Sequence, residues 1–379
     1  MPAIIFTTIL TISVLYAPQP LLPVLAREFA VSRDLAATLI TVTFIPLSLA
    51  PLLYGYLLEA LPLKRLLRGA ILLLAASELL CFFAPTFGLL LALRLVQGLL
   101  VPALLTGLMT YVSARAAPRA EVPRAMALYI ASTLVGGFLG RACSGAIATG
   151  FGWRYTFLVL AASLGFAWLV LGRLPPLPGQ KLARPRADLL PVILRQPRFL
   201  RLYLAIGCLF FVFAAVMNFI PFRLTELSDQ ASELRIGLMY SGYLLGLATS
   251  LGSVRIGRLL GGQRPAMLSG FALYCLSILG LASRQVPAVF LVMFLFCAAM
   301  FLVHATATGY VNGLAVEHRP MVNGLYVAFY YGGGALGSWL PGIVYRLWGW
   351  SALIGLLLAV ALLGMAILAA GGVRSPSRY

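Results

Sequence analysis

Along most of this chain the apolar positions do not alternate with polar ones; they run on. Phe157–Leu171 and Ala352–Ala370 are near-continuous hydrophobic runs. A lipid-facing β-strand would instead alternate over segments of about 10 residues. Runs of roughly 20 apolar residues fit α-helices long enough to cross a hydrocarbon core of about 30 Å. Twelve such stretches can be placed: 3–25, 35–60, 66–84, 88–113, 124–149, 155–172, 199–224, 235–257, 265–283, 287–313, 322–345 and 351–371. The pattern therefore predicts an all-α integral membrane protein of twelve transmembrane helices. Composition supports this, with 61% of residues hydrophobic and only 10% charged, against roughly 25% charged in soluble domains.

The net charge of +18 would suit a nucleic-acid partner, but its distribution argues against that reading. With the N-terminus inside, nineteen of the 28 lysines and arginines fall on cytoplasmic segments and span ends, among them Lys64, Arg65, Arg68, Arg115, Arg119, Arg124 and a basic run from Arg173 to Arg201. Seven fall outside: Arg27, Arg33, Arg154, Arg223, Arg235, Arg284 and Arg346. This asymmetry puts both termini in the cytoplasm. The first span has no basic leader and contains Pro18, Pro20 and Pro23 in place of a small-residue cleavage site, so it is expected to remain as a helix. The cysteines Cys81, Cys143, Cys208, Cys275 and Cys297 lie within spans at no metal-ligand spacing and are expected to be small, buried and reduced.

The longest polar stretch, rich in proline, lies mid-chain and divides the sequence into a six-helix half at 1–172, a cytoplasmic linker at 173–198 and a second half at 199–379. Asp188–Arg195 could form a short amphipathic helix on the membrane surface. The halves repeat each other. Span 5 carries Leu128-Tyr129, Gly136-Gly137, Leu139-Gly140, Gly145 and Gly152-Trp153; span 11 carries Leu325-Tyr326, Gly333-Gly334, Leu336-Gly337, Gly342 and Gly349-Trp350, at one constant offset. Pro23 and Pro221 correspond in spans 1 and 7. A duplicated six-helix unit implies a pseudo-two-fold transporter with its site between the halves.

These features resemble the major facilitator superfamily. Arg94-Leu95-Val96-Gln97-Gly98 matches its Arg-x-x-Gln-Gly motif in helix 4. The segment from Gly55 through Glu59 to Lys64-Arg65 resembles its loop motif between helices 2 and 3, with Glu59 in place of Asp and with Ala60, Pro62 and Leu63 departing from the pattern. Pro18-Gln19-Pro20-Leu21-Leu22-Pro23 is similar to the proline-rich first helix of drug:proton antiporters, and Gly136-Gly137-Phe138-Leu139-Gly140-Arg141 to the helix 5 motif of the exporter branch. The resemblance implies alternating access, gating through Gly55, Glu59, Arg65, Gly136, Gly137 and Gly140, and a bacterial inner-membrane location.

Ionisable side chains deep in the bilayer cost at least roughly 2.5–3.5 kcal/mol on insertion scales, which makes them functional candidates. Glu78 and Arg94 flank the turn near Thr86 symmetrically, at a depth of about 12 Å in antiparallel helices, so an ion pair is expected. Arg141 and Gln19 fall in the same outer layer. An Arg beside close-packed glycines must meet a polar cavity or an anion such as a carboxylate or phosphate. His304 reads as a helix–helix contact before a proton switch. In the second half, Asn218 and tyrosines including Tyr240, Tyr243, Tyr326 and Tyr330 offer polar-tipped aromatic surface for an amphipathic substrate. The expectation is a monomeric, cofactor-free exporter of a small organic compound in exchange for protons. Gln19, Arg94, Gln97, Arg141, Asn218 and Tyr330 would hold substrate, and Glu78 the proton. Proton-coupled or facilitated uptake of an organic anion is the first alternative, and a non-transporting receptor or assembly factor the second. No nucleophile–base pair, phosphate loop or metal set points to an enzyme.

Overall fold

A computed structural model describes residues 1–60, 62–115, 122–175, 189–315 and 318–370, except for the side chains of 51–60, 113, 114, 122–124, 127, 319 and 320. All regular elements among them are helical. The first pass is α1 (Pro2–Tyr16), a 3-10 turn (Gln19–Leu21) and α2 (Leu22–Glu28). Passes two to six are α3 (Arg33–Ala60), α4 (Leu63–Phe82), α5 (Phe87–Arg115), α6 (Val122–Phe151) and α7 (Trp153–Gly172). A short helix α8 (Leu189–Leu194) occupies the expected surface-helix segment; most of the linker, like Arg119 and Asp188, lies outside the described residues. Then follow α9 (Pro197–Leu227), α10 (Glu233–Met239) with α11 (Gly242–Leu259), α12 (Gln263–Gly280), α13 (Val286–Leu314) and α14 (Arg319–Ala369).

α14 is two passes, divided where Gly349 takes φ 79°. Its repeat partner Gly152 takes φ 97° between α6 and α7. Both lie in the left-handed region that favours glycine, and each is followed by the matching tryptophan. Trp350 Nε1 donates to the Leu281 carbonyl at 2.9 Å, and Trp153 Nε1 donates to Glu28. The chain thus folds as twelve passes in two pseudo-symmetric halves of six.

The glycines of passes five and eleven bring helix backbones together. A Cβ on Gly136 would sit 2.6 Å from the Ile9 carbonyl oxygen, and one on Gly140 2.6 Å from Ser13 Cα, so α6 lies directly on α1. In the second half, a Cβ on Gly333 would sit 2.1 Å from the Gly207 carbonyl oxygen and one on Gly337 2.0 Å from that of Phe211, laying α14 on α9. The repeat also joins the halves to each other: Gly145 abuts Glu233 at the start of α10, and Gly342 abuts Asp34 at the start of α3.

The eighth pass is not the single helix that its sequence predicts. Tyr240 and Ser241 donate to carbonyls three residues back, Gly237 and Leu238, and Tyr243 donates to Tyr240. Such i to i+3 bonding brings residues three apart onto one face. Gly242 permits the break by packing on α13, where a Cβ would meet the Met293 carbonyl oxygen at 2.5 Å. All five cysteines are free; Cys81, Cys275 and Cys297 are buried, Cys208 is half-buried, and Cys143, expected inside, is exposed on the helix surface.

Candidate functional site

The site begins with the prolines of the first pass. Pro18 has no N–H to offer the Val14 carbonyl four residues earlier, and Pro20 none for Tyr16. Buried carbonyls freed in this way need other donors. For Val14 the donor is Arg94 of α5, whose Nη1 bonds Val14 O at 2.8 Å; its Nη2 bonds the neighbouring Leu15 O at 2.8 Å and its Nε bonds Leu39 O on α3 at 3.2 Å. Ser144 Oγ donates to Ala17 O at 2.6 Å. Gln97 accepts from Arg94 Nη1 at 2.6 Å and donates to Cys81 Sγ at 3.5 Å. The Arg-x-x-Gln pair therefore braces a kinked helix, with both side chains fully buried.

The expected Glu78–Arg94 ion pair is not formed. Arg94 gives its hydrogen bonds to carbonyls and Gln97, and both carboxyl oxygens of the buried Glu78 have no hydrogen-bond partner. The sequence argument missed the backbone acceptors that compete for Arg94.

Arg141 is different. It is fully buried on α6 at the contact between the halves. Its Nε donates to Gln19 Oε1 at 2.5 Å, and its Nη1 donates back to the Gly137 carbonyl. Gln19 Nε2 in turn donates to Asn218 Oδ1 on α9 at 2.6 Å. One continuous chain, Arg141–Gln19–Asn218, thus crosses from one half to the other. It ends in two buried donors without acceptors, Arg141 Nη2 and Asn218 Nδ2. Three tyrosine rings face the guanidinium carbon: Tyr16 at 4.1 Å, Tyr243 at 4.7 Å and Tyr240 at 4.9 Å. Gly137 leaves room for this arrangement, since a Cβ there would meet the Tyr243 ring at 3.1 Å and Arg141 Nη1 at 3.4 Å. Among the described residues no carboxylate lies within ion-pair distance of Arg141.

An aromatic wall continues from this cage. Tyr16 meets Phe44 at 6.1 Å, Phe44 meets Phe210 at 5.5 Å, and Phe210 stacks on Tyr330 at 3.8 Å. Tyr331 stands edge-on to Tyr330 at 5.1 Å. Tyr16, Tyr330 and Tyr331 are only half-buried. His304 packs against Tyr330 at 4.6 Å, and its Nδ1 lies 3.0 Å from Tyr326 Oη; it is a contact between α13 and α14. Below it, Asn312 Nδ2 donates to Thr308 O and Asn323 Nδ2 to Asn312 Oδ1, each at 2.9 Å.

At one end of the molecule the halves are tied by ion pairs. Arg33 pairs with Glu226, Arg346 with Asp34 at 3.4 Å, and Arg27 with Glu233 at 3.9 Å. They edge a cavity of about 380 Å³ lined by Arg27, Arg33, Arg346 and Phe222 among others. Of the expected gating residues at the other end, Arg65 is exposed, Gly55 lies within α3, and the side chain of Glu59 is outside those described. Tyr16, Phe44 and Phe210 were not singled out from sequence. Tyr16 carried a usable signal, since it stands three residues before Gln19.

A family model, the Major Facilitator Superfamily, matches residues 4–260 and 224–378. The chain is 28% identical over 370 residues to the "Inner membrane transport protein YnfM" of Escherichia coli, a match covering 93% of this chain and 86% of that protein. It is 25% identical over 328 residues to a "Probable sugar efflux transporter" of Mannheimia succiniciproducens, covering 85% and 81%. Among solved structures, the nucleoside transporter NupG superposes with a TM-score of 0.80 at 13% identity, over 97% of this chain and 98% of that one.

Proposed function

The chain belongs to the Major Facilitator Superfamily and is a membrane transporter of that family, and we propose that it exports a small organic compound in exchange for protons by alternating access. The observation that carries this reading is the buried Arg141–Gln19–Asn218 chain. It joins the halves, ends in unpartnered donors and is bordered by half-buried tyrosines. Polar groups left unsatisfied at a buried contact cost about 1–3 kcal/mol each, a cost that a bound substrate removes.

In this reading Arg141, Gln19, Asn218 and Tyr330 hold the substrate, and Arg94 with Gln97 keeps the kinked first pass in shape around it. Glu78 carries the proton: a buried carboxyl with no donor can be held as a neutral acid, and Glu78 lies beside the Arg94 brace. Residues 1–172 and 199–379 rock as units about the linker at 173–198. The close contacts at Gly136 and Gly140 hold the first and fifth passes together during that motion, and the segment from Gly55 to Arg65 gates the other end. The export direction rests on the helix 5 glycine pattern and on the efflux named for one relative. A monomer in a bacterial inner membrane with cytoplasmic termini completes the proposal, supported by the placement of Lys and Arg and by the location named for the Escherichia coli relative.

Uptake of an organic anion is the second reading, favoured by the lack of an acidic partner for Arg141 among the described residues. One experiment separates the two. The protein and an Arg141→Ala variant are expressed in a bacterial host, and small molecules in cells and medium are compared by untargeted mass spectrometry. A compound enriched outside with the parent and not the variant supports export. A compound depleted outside and enriched in cells refutes export and supports uptake.

A further inference from the structure

A full positive charge at the centre of a protein normally has a counter-ion, because an uncompensated buried charge costs several kcal/mol. Arg141 is fully buried and has none within reach among the described residues. What it has is partial compensation. Gly137 and Gln19 accept two of its hydrogen bonds, and Tyr16, Tyr240 and Tyr243 turn their rings to it. Each ring contributes roughly 0.5–2 kcal/mol. Neither an amide oxygen nor a ring face removes the net charge, and Nη2 still lacks an acceptor.

The second free donor gives the missing group its sign again. Gln19 takes the Arg141 bond on its oxygen and spends its nitrogen on Asn218 Oδ1, which fixes the Asn218 amide with its nitrogen free. Both loose ends of the chain are donors; neither is an acceptor. A ligand that satisfied both must therefore bring acceptor oxygens and no donors of its own, and a carboxylate does so. A neutral amide would bring its own N–H groups to a site short of acceptors, and a cation would meet Arg141 as a like charge.

Shape follows from the wall. From Tyr16 the aromatic surface runs through Phe44 and Phe210 to Tyr330 and Tyr331. Tyr330 and Phe210 are already stacked at an interplanar angle of 15°, and the half-buried faces of Tyr16, Tyr330 and Tyr331 offer surface to a further flat group. The wall is made of aromatic ring faces, which suit a flat and mainly apolar ligand body. Only one guanidinium is available, since Arg94 is spent on carbonyls.

We infer that the site takes a monovalent organic anion with a flat, apolar body: its carboxylate bridges Arg141 Nη2 and Asn218 Nδ2, and its ring lies along Tyr16 and Tyr330. This names the substrate class for the transport site proposed above and rests on that reading. Direction and proton coupling play no part in it.

Thermal unfolding of the purified full chain in detergent tests it, with benzoate, benzamide and benzylammonium as isosteric probes. Benzoate at saturation is expected to raise the midpoint by about 3 °C, with no shift from benzamide or benzylammonium. In Arg141→Gln the benzoate shift is lost, and in Asn218→Leu the half-saturating concentration rises about tenfold. An equal shift from benzamide or benzylammonium overturns the proposal, as does no shift from any probe, or a full benzoate shift in Arg141→Gln. The comparison among probes uses the unaltered protein, so it stands even where a variant fails to fold. A failed export assay beside a benzoate-specific shift removes the direction of transport and leaves the anion class intact.

Discussion

Passes five and eleven share a backbone design and differ in chemistry. Gly136 and Gly140 set α6 on α1 as Gly333 and Gly337 set α14 on α9, and Gly145 and Gly342 make the matching contacts across the halves. At the position where the first half has Arg141, the second has Ser338, fully buried with its hydroxyl unpartnered. The tyrosines at 330 and 331 stand where the first half has Thr133 and Leu134. Duplication kept what the packing needs and let the interior diverge, so the first half brings the charge and the second brings Phe210, Tyr330 and Tyr331 of a wall that both halves build.

The largest test of that division is at its unequal positions. Arg141→Ala should lower transport by roughly 30-fold or more, since truncating one member of a buried charge-assisted contact costs about 2–5 kcal/mol. Ser338→Ala should change it less than twofold, measured with the compound that the cell comparison identifies. Equal losses would place the charge outside the binding step. At the equal positions the effects should match: Gly140→Ala and Gly337→Ala each force a Cβ into helix backbone and should destabilise by about 1–3 kcal/mol, read as lost midpoint in thermal unfolding. Glu78 has no acidic counterpart in the second half, because α12, the matching ninth pass, contains no Asp or Glu. Glu78→Gln should keep benzoate binding within about twofold yet abolish accumulation driven by a pH gradient; retained accumulation would make Glu78 structural. The smallest effect belongs to the partly exposed tie between Arg33 and Glu226. Arg33→Ala should cost at most about 1 kcal/mol, checked by denaturation at low and high salt.

Much of the fold was legible because its signals are local. Continuous apolar runs gave the passes, and the constant glycine offset gave the repeat. The break at Tyr240–Ser241 was not legible, for it depends on α10–α11 meeting the Met293 backbone of a distant pass. The site was legible in part. Gln19 and Arg141 were named from residue type and depth, Asn218 and Tyr330 from residue type, and the structure brings them to one aromatic-walled region. The Glu78–Arg94 pair was misjudged, because matching depth says nothing about which acceptor is hungrier. The Val14 carbonyl freed by Pro18 was written in the sequence, but the donor that takes it, Arg94 on a distant pass, was not.

The central claim is that Arg141 binds the cargo of a proton-driven exporter. Proteoliposomes loaded with the compound identified in cells, and subjected to a pH gradient in either direction, test it most directly. The account predicts that the compound moves against its own gradient, opposite to the proton flow, and that Arg141→Gln abolishes the movement. Movement in the same direction as the protons, or undiminished movement in the variant, would contradict it.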